Sequence, residues 1–370
     1  MKKKNVVNEI FFIRAFACLA VVLLHAIGAS MNVFGIPQNE HSVINNSRLL
    51  LLFATPLFII ISEFLLSYSY SEKLPKTFFP KRIKYILVPF IFMALLYSIV
   101  TNYPNLNFES VLDIFLHNLQ GNYHGYFILI IFQFYILHAL FIKVENKVSP
   151  IVILIVTFII NVGYLSYFNL TSPPNTLTNG DVIWKRWYWY PFLAWIFYFA
   201  IAYYCGKHFE RFKELVNKHI GKIVVLSLFS CAAILYLYYV EIIPVMSSKR
   251  VDVFLFTIMI WFILFYIASK MNRLPTIVNW ISRLSFGIYL LHPFFQIVLI
   301  ENVSKTAFPN FYVYLVFLFT GSMILSGVTT YLLSLTHIGK YLIGSVGNIY
   351  KKRQKRKYSN QDNKEQVLSR

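Results

Sequence analysis

The sequence predicts an all-α integral membrane protein of about ten transmembrane helices, with both termini in the cytoplasm. Three observations predict it. Only 13% of the 370 residues are charged while 58% are hydrophobic, and the mean hydropathy is +0.60. A soluble domain carries about 25% charged residues, so this chain could not cover a water-facing surface. The apolar residues also arrive in blocks of roughly twenty, the length a helix needs to cross about 30 Å of hydrocarbon. Finally, Lys and Arg gather in alternate connections, the pattern that orients a multi-pass chain.

The blocks fall at about 11–31, 49–69, 85–101, 126–142, 151–168, 189–206, 221–240, 253–269, 284–300 and 311–335. With the N-terminus inside, the inner segments hold 27 Lys and Arg and the outer loops hold six, Arg14 lying within the first span. That asymmetry sets the orientation, and an even number of spans returns the basic tail to the cytoplasm. The first block resembles a signal peptide in its Lys2–Lys4 flank and in Gly28-Ala29-Ser30. It is longer than a signal core and contains Arg14 and His25, so it reads as a retained span. Residues 1–340 form one polytopic body, and 341–370, with KKRQKRK at 351–357, read as a basic, disordered cytoplasmic tail.

The net charge of +19 is spread over span ends rather than over one soluble face, which points to anionic lipid and not to nucleic acid. Cys18, Cys205 and Cys231 sit inside apolar blocks, far from disulfide or zinc spacing, and read as small buried hydrophobes. Neither a metal nor a bound cofactor is expected. Lys, Asn, Ile and Phe enrichment suits a low-GC bacterium and hence its cytoplasmic membrane.

Ionisable groups at bilayer depth cost about 2.5–3.5 kcal/mol each on insertion scales, which makes them candidates for function. Arg14 and His25 are eleven residues apart on the first span. At 100° per residue they share one stripe, about 16 Å apart along the axis. Each has a structural reading, a snorkelling anchor or a core histidine; together they suggest a path from a cytoplasmic anion to chemistry nearer the outside. Glu63, on the second span, reads as a structural partner of Arg14 at similar depth ahead of a proton relay. Ser285, Tyr289 and His292 recur at spacings of four and three, so they share a helix face just before Pro293. That face reads equally as a kinked packing surface or as the lining of a cavity. Lys81-Arg82-Ile83-Lys84 is either an inner-leaflet anchor or a clamp for phosphates. The outer run Trp184 to Tyr190 reads as an aromatic belt ahead of a sugar-stacking platform.

These residues resemble the membrane acyltransferase-3 family over about 8–340. Arg14 and His25 match its first-span signature, Phe58 to Leu66 its second-span pattern, with Glu63 where glycine is usual, and Lys81 to Pro89 its basic third-span approach. Tyr85 stands where many members carry a second arginine, leaving Arg82 and Lys84 as donor-binding candidates. His124 to Ile128 is similar to the family's fourth-span start, and Ser285 to His292 to its late SxxIYLxH motif. GNYHGYF and RIKYILVPF are similar to the intercellular adhesion protein C branch, which is associated with O-succinylation of poly-N-acetylglucosamine and was earlier regarded as an exporter.

The resemblance implies an O-acyltransferase moving an acetyl or succinyl group from a cytoplasmic acyl-CoA-type co-substrate to a hydroxyl of an extracytoplasmic carbohydrate. His25 would be the general base, suited by an ordinary imidazole pKa near 6.5, and Arg14 would hold donor phosphate or developing charge. Arg82 and Lys84 would add phosphate contacts. His124, Ser285, Tyr289 and His292 would line the substrate cavity, with His292 a second proton carrier. The alternative is an exporter or flippase of a polysaccharide or small molecule.

Overall fold

The structure, a computed structural model, describes residues 8–37, 41–173 and 180–346, and every regular element among them is helical. Ten apolar helices follow the ten predicted blocks. They are α1 (Asn8–Phe34), α2 (Ala54–Tyr70), α3 (Val88–Asn102), α4 (Phe127–Phe141), α5 (Pro150–Leu170), α6 (Ile196–Lys207), α7 (Phe209–Tyr239), α8 (Val251–Ser269), α9 (Thr276–Asn302) and α10 (Phe311–Ser334). Nine helical stretches among the described residues are long and apolar enough to cross a membrane; the tenth, Phe192–Lys207, is shorter. The 12 residues of α6 rise about 18 Å at 1.5 Å each. A 3₁₀ turn over Phe192–Trp195 leads into it.

α1 is the central helix and packs against α2, α8, α9 and α10. That position turns a polar residue on α1 into one shared by several neighbours. α5 and α7 stand at the periphery, and the exposed side chains of α5, Ile151, Ile155 and Ile159 among them, are as apolar as lipid. Without a hydrophobic drive between helices in lipid, close packing depends on small residues. At Gly206 of α6 an added Cβ would lie 2.5 Å from the Phe64 carbonyl oxygen of α2, so these backbones meet only at glycine. There Ser67 Oγ of α2 donates to the Tyr203 carbonyl of α6 at 2.6 Å.

The connections carry more helix than hydropathy alone suggests. The stretch 102–125 holds an amphipathic helix, Phe108–Leu119, capped by Asn107, whose side chain accepts from the Glu109 and Ser110 amides. Gly180–Trp187 is also helical. Residues 209–220, read as loop, extend α7 to 31 residues with a non-helical kink at His219. Arg250, counted among the outer-loop cations, is fully buried. It is bidentate to Asp252 at 2.9 and 2.6 Å and donates to the Ile243 carbonyl at 2.6 Å, which fastens the turn between α7 and α8. Of the outer aromatic run, Trp184 packs 4.7 Å from Phe168 and Trp189 4.9 Å from Tyr126, whereas Trp187 stays exposed. The packed chain continues past 340 through a short helix, Gly339–Leu342, and so includes the first residues of the expected tail. The basic run 351–357 lies outside the described residues.

Candidate active site

Among the described residues, two cavities lined by both α1 and α9 enter the bundle. The first, about 550 Å³, is reached on α1 at Arg14 and on α9 at Ser285 and Tyr289. The second, about 380 Å³, is reached on α1 from Leu24 and His25 to Asn32, and on α9 from Pro293 to Ile300. Along both helices they occupy successive depths, and no lining residue is shared. The orientation read from the basic residues makes the first the inner cavity and the second the outer one.

The inner cavity is cationic. Arg14, Lys81 and Arg82 line it and no carboxylate does among the described residues. A π-helical turn, Ile83–Leu87, joins the short Phe78–Arg82 helix to α3, and Lys81, Arg82, Tyr85 and Ile86 all line the cavity from this segment. The Arg82 guanidinium lies 5.1 Å from the Phe78 ring centroid and 5.2 Å from that of Tyr135, a cation–π seat that fixes its head at the cavity wall. Lys84 points elsewhere. It is exposed, does not line the cavity, and lies 5.1 Å from the Tyr341 ring. Its hydrogen bond holds the Tyr341 phenol below the ordinary range. Lys81 therefore stands at the cavity where Lys84 was expected, and Ser345, beyond Tyr341, completes the wall.

Between the cavities lies a cluster of imidazoles and phenols. The ring centroids of His25 and His292 are 5.2 Å apart, those of His124 and His292 5.7 Å, and those of His25 and His124 6.5 Å. Tyr289 stands 5.6 Å from His124 and 5.8 Å from His292, and its hydroxyl donates to the His124 carbonyl. His292 is fully buried. Its Nδ1 meets the Ile288 carbonyl at 3.1 Å; a carbonyl only accepts, so Nδ1 carries a hydrogen. In the neutral ring Nε2 is then the basic atom, and it is buried with no hydrogen-bond partner among the described residues. The same holds for partners of His124 Nε2. Gln296, one turn beyond His292, donates from its amide to the Val22 carbonyl of α1 at 3.3 Å and lines the outer cavity beside His25.

The structure thus gathers His25, His124, Tyr289 and His292 around one point, with Ser285 a turn below in the inner wall, donating to the Ser282 carbonyl at 2.9 Å. Arg14 and Arg82 share the inner cavity, and Lys84 stands apart. The expected Glu63–Arg14 pair does not form. Glu63 Oε1 instead meets His138 Nδ1 of α4 at 2.7 Å, both side chains being fully buried. His138 Nε2 donates to the Tyr70 carbonyl at 3.1 Å, so the Nδ1–Oε1 contact holds one proton between imidazole and carboxyl. The pair ties α2 to α4 behind the inner wall and leaves Arg14 facing the cavity. His138 lies 75 residues from Glu63 and inside an otherwise apolar run, so no spacing signalled it.

Nine stretches long and apolar enough to cross a membrane, around a buried histidine cluster between two cavities, define a class, a multi-pass membrane protein with a candidate site inside its bundle. A family model described as an acyltransferase domain matches residues 7–331. YfiQ of Bacillus subtilis (strain 168), which carries the name of a membrane-bound acyltransferase, is 40% identical over 79% of this chain and 82% of its own. A Staphylococcus aureus (strain N315) protein named for export of poly-beta-1,6-N-acetyl-D-glucosamine is 29% identical over 78% of this chain and 82% of its own. One of the same name from Staphylococcus epidermidis is 27% identical over 79% and 81%. No solved structure matches the chain. The chain belongs to the acyltransferase-3 family of membrane acyltransferases.

Proposed function

We propose that this acyltransferase moves an acyl group from a cytoplasmic acyl-CoA-type donor to a hydroxyl of an extracytoplasmic carbohydrate, across the histidine cluster. The observation that carries the proposal is the pairing of two separate cavities with His25 in the outer one and Arg14 in the inner one, on the same helix. The inner cavity suits an anionic donor with a planar base: Arg14, Lys81 and Arg82 supply charge, and Phe78, Tyr85 and Tyr135 supply ring faces. The outer cavity offers His25 and Gln296 to a hydroxyl.

In the proposed step His25 takes the hydroxyl proton while the oxygen attacks the thioester carbonyl carbon. The carbonyl π electrons move to oxygen, then return as the carbon–sulfur bond breaks. The ester is formed, the sulfur leaves toward the inner cavity, and the proton taken by His25 finally reaches that sulfur. His292 lies between His25 and Tyr289, and its basic Nε2 makes it the second carrier for that proton. Arg14 holds donor phosphate or charge developing on the inner side.

Export, the reading suggested by the staphylococcal relatives' names, would need a passage wide enough for a sugar chain. The buried rings of Tyr289 and His292 stand between the two cavities, which supports transfer at a junction over passage of a sugar chain. The test is mass spectrometry of surface glycan from a strain lacking the gene, complemented with wild type or with His25→Ala. The expected result is an acyl mass lost in the deletion, restored by wild type and absent with well-expressed His25→Ala. An unchanged acyl pattern accompanied by reduced glycan export would replace the enzyme reading with transport.

A further inference from the structure

We infer that Tyr97 of α3 is a positioning residue that clamps the turn of α9 around Pro293 and thereby aims His292 and His124 at His25. Pro293 sits inside α9, where its ring cannot donate to the Tyr289 carbonyl and crowds the turn before it. The next rung of the ladder would run from the Phe294 amide to the Leu290 carbonyl. The Tyr97 hydroxyl bonds to both ends of that rung. The hydroxyl donates to Leu290 O at 2.9 Å and accepts from Phe294 N at 3.1 Å. One hydroxyl thus serves both a donor and an acceptor of the turn around Pro293, where hydrocarbon offers no water to do so.

The two clamped residues lie two before and two after His292, so the clamp bears on the turn that carries the imidazole. The other side of Tyr97 serves His124. Their rings meet edge-on at 4.8 Å, and Tyr123 packs against both at 5.8 and 5.1 Å. Tyr123 is itself anchored through its hydroxyl to the Phe90 carbonyl of α3 at 2.9 Å. One phenol from α3 thus contacts the turn that carries one imidazole on α9 and the ring of another in the 3₁₀ turn, His124–Tyr126, ahead of α4. Tyr97 is buried and lines neither cavity, so it touches no substrate and acts through these neighbours.

The inference rests on the proposed acyl transfer, and its test separates the two. Full-length protein in lipid nanodiscs is compared as wild type, Tyr97→Phe and Ser98→Ala. The last removes a buried hydroxyl from the same helix that bonds only to Leu95 O. Turnover is read as thiol release from acetyl-CoA and succinyl-CoA with N-acetylglucosamine oligosaccharide as acceptor. Backbone amide exchange over 288–296 is followed by mass spectrometry.

Tyr97→Phe keeps the ring and removes the bridge. It should lower kcat by about ten- to a hundredfold with donor KM within about twofold, and raise exchange in that segment, while Ser98→Ala matches wild type in both. A Tyr97→Phe enzyme with wild-type kcat, or with unchanged exchange, overturns the inference. So does a loss of activity expressed as raised donor KM, which would mark general damage to the inner cavity. Wild type that transfers no acyl group would sink the functional reading instead, and the exchange arm would still decide whether Tyr97 clamps the turn between Leu290 and Phe294.

Discussion

The inner and outer cavities are built from the same two helices but read different chemistry. The inner one collects Arg14, Lys81 and Arg82 among aromatic rings, with no carboxylate in its described wall. The outer one presents His25, Asn32 and Gln296 among aliphatic side chains, with Arg48 held in its wall by Asn45 Oδ1 at 3.1 Å. The first suits recognition of a large anion and the second suits orientation of a hydroxyl. Binding energy gathered at one end can therefore hold a thioester at a base that belongs to the other end. The comparison also explains why α1 is central. It is the helix on which Arg14 and His25, the proposed anion contact and the proposed base, are set about 16 Å apart by eleven residues of rise.

Substitutions should separate the two ends. The largest effect is expected at the outer one, where His25→Ala should reduce turnover by about 10²–10⁴ with donor affinity retained, read as thiol release against donor binding. If donor binding collapses as well, the two cavities are not independent. Next is the wall behind the inner cavity. Removing one member of the buried Glu63–His138 pair leaves an unmatched polar group, which costs about 3–5 kcal/mol. Glu63→Leu alone should lower the melting temperature in detergent sharply, and Glu63→Leu with His138→Leu should recover much of it. Equal melting of the single and double variants would deny the pairing. Arg14→Ala should cut kcat/KM for the donor by about ten- to a hundredfold, with Arg14→Lys intermediate. Lastly, Lys81→Ala should raise donor KM severalfold, whereas Lys84→Ala should leave it unchanged. The reverse order would return the donor contact to Lys84.

Much of this comparison was legible in the chain itself, and the parts that were not share a cause. Arg14 and His25 stand out because charge in an apolar run is expensive, and helical periodicity puts them on one stripe. Ser285, Tyr289 and His292 are visible for the same reason of spacing, together with the motif they resemble. The ten apolar blocks were equally plain, although the short α6 and the extra turns of α7 depend on tertiary packing that hydropathy does not measure. Tyr97 and His138 were silent. A tyrosine or a histidine in an apolar helix looks like packing until its distant partner is known, and those partners lie 193 and 75 residues away. The choice of Lys81 over Lys84 depends on which face the turn through Ile83–Leu87 presents, and that turn is π-helical. The 3.6-residue period does not describe it.

The most direct test of the two-cavity account is the sidedness of the reaction. Full-length protein in sealed vesicles of defined orientation would receive acyl-CoA on one face and N-acetylglucosamine oligosaccharide on the same or the opposite face. The account predicts acylated oligosaccharide only when donor and acceptor lie on opposite faces, with the donor on the side bearing Lys81 and Arg82. Product formed with both substrates on one face, and none across the membrane, would contradict it.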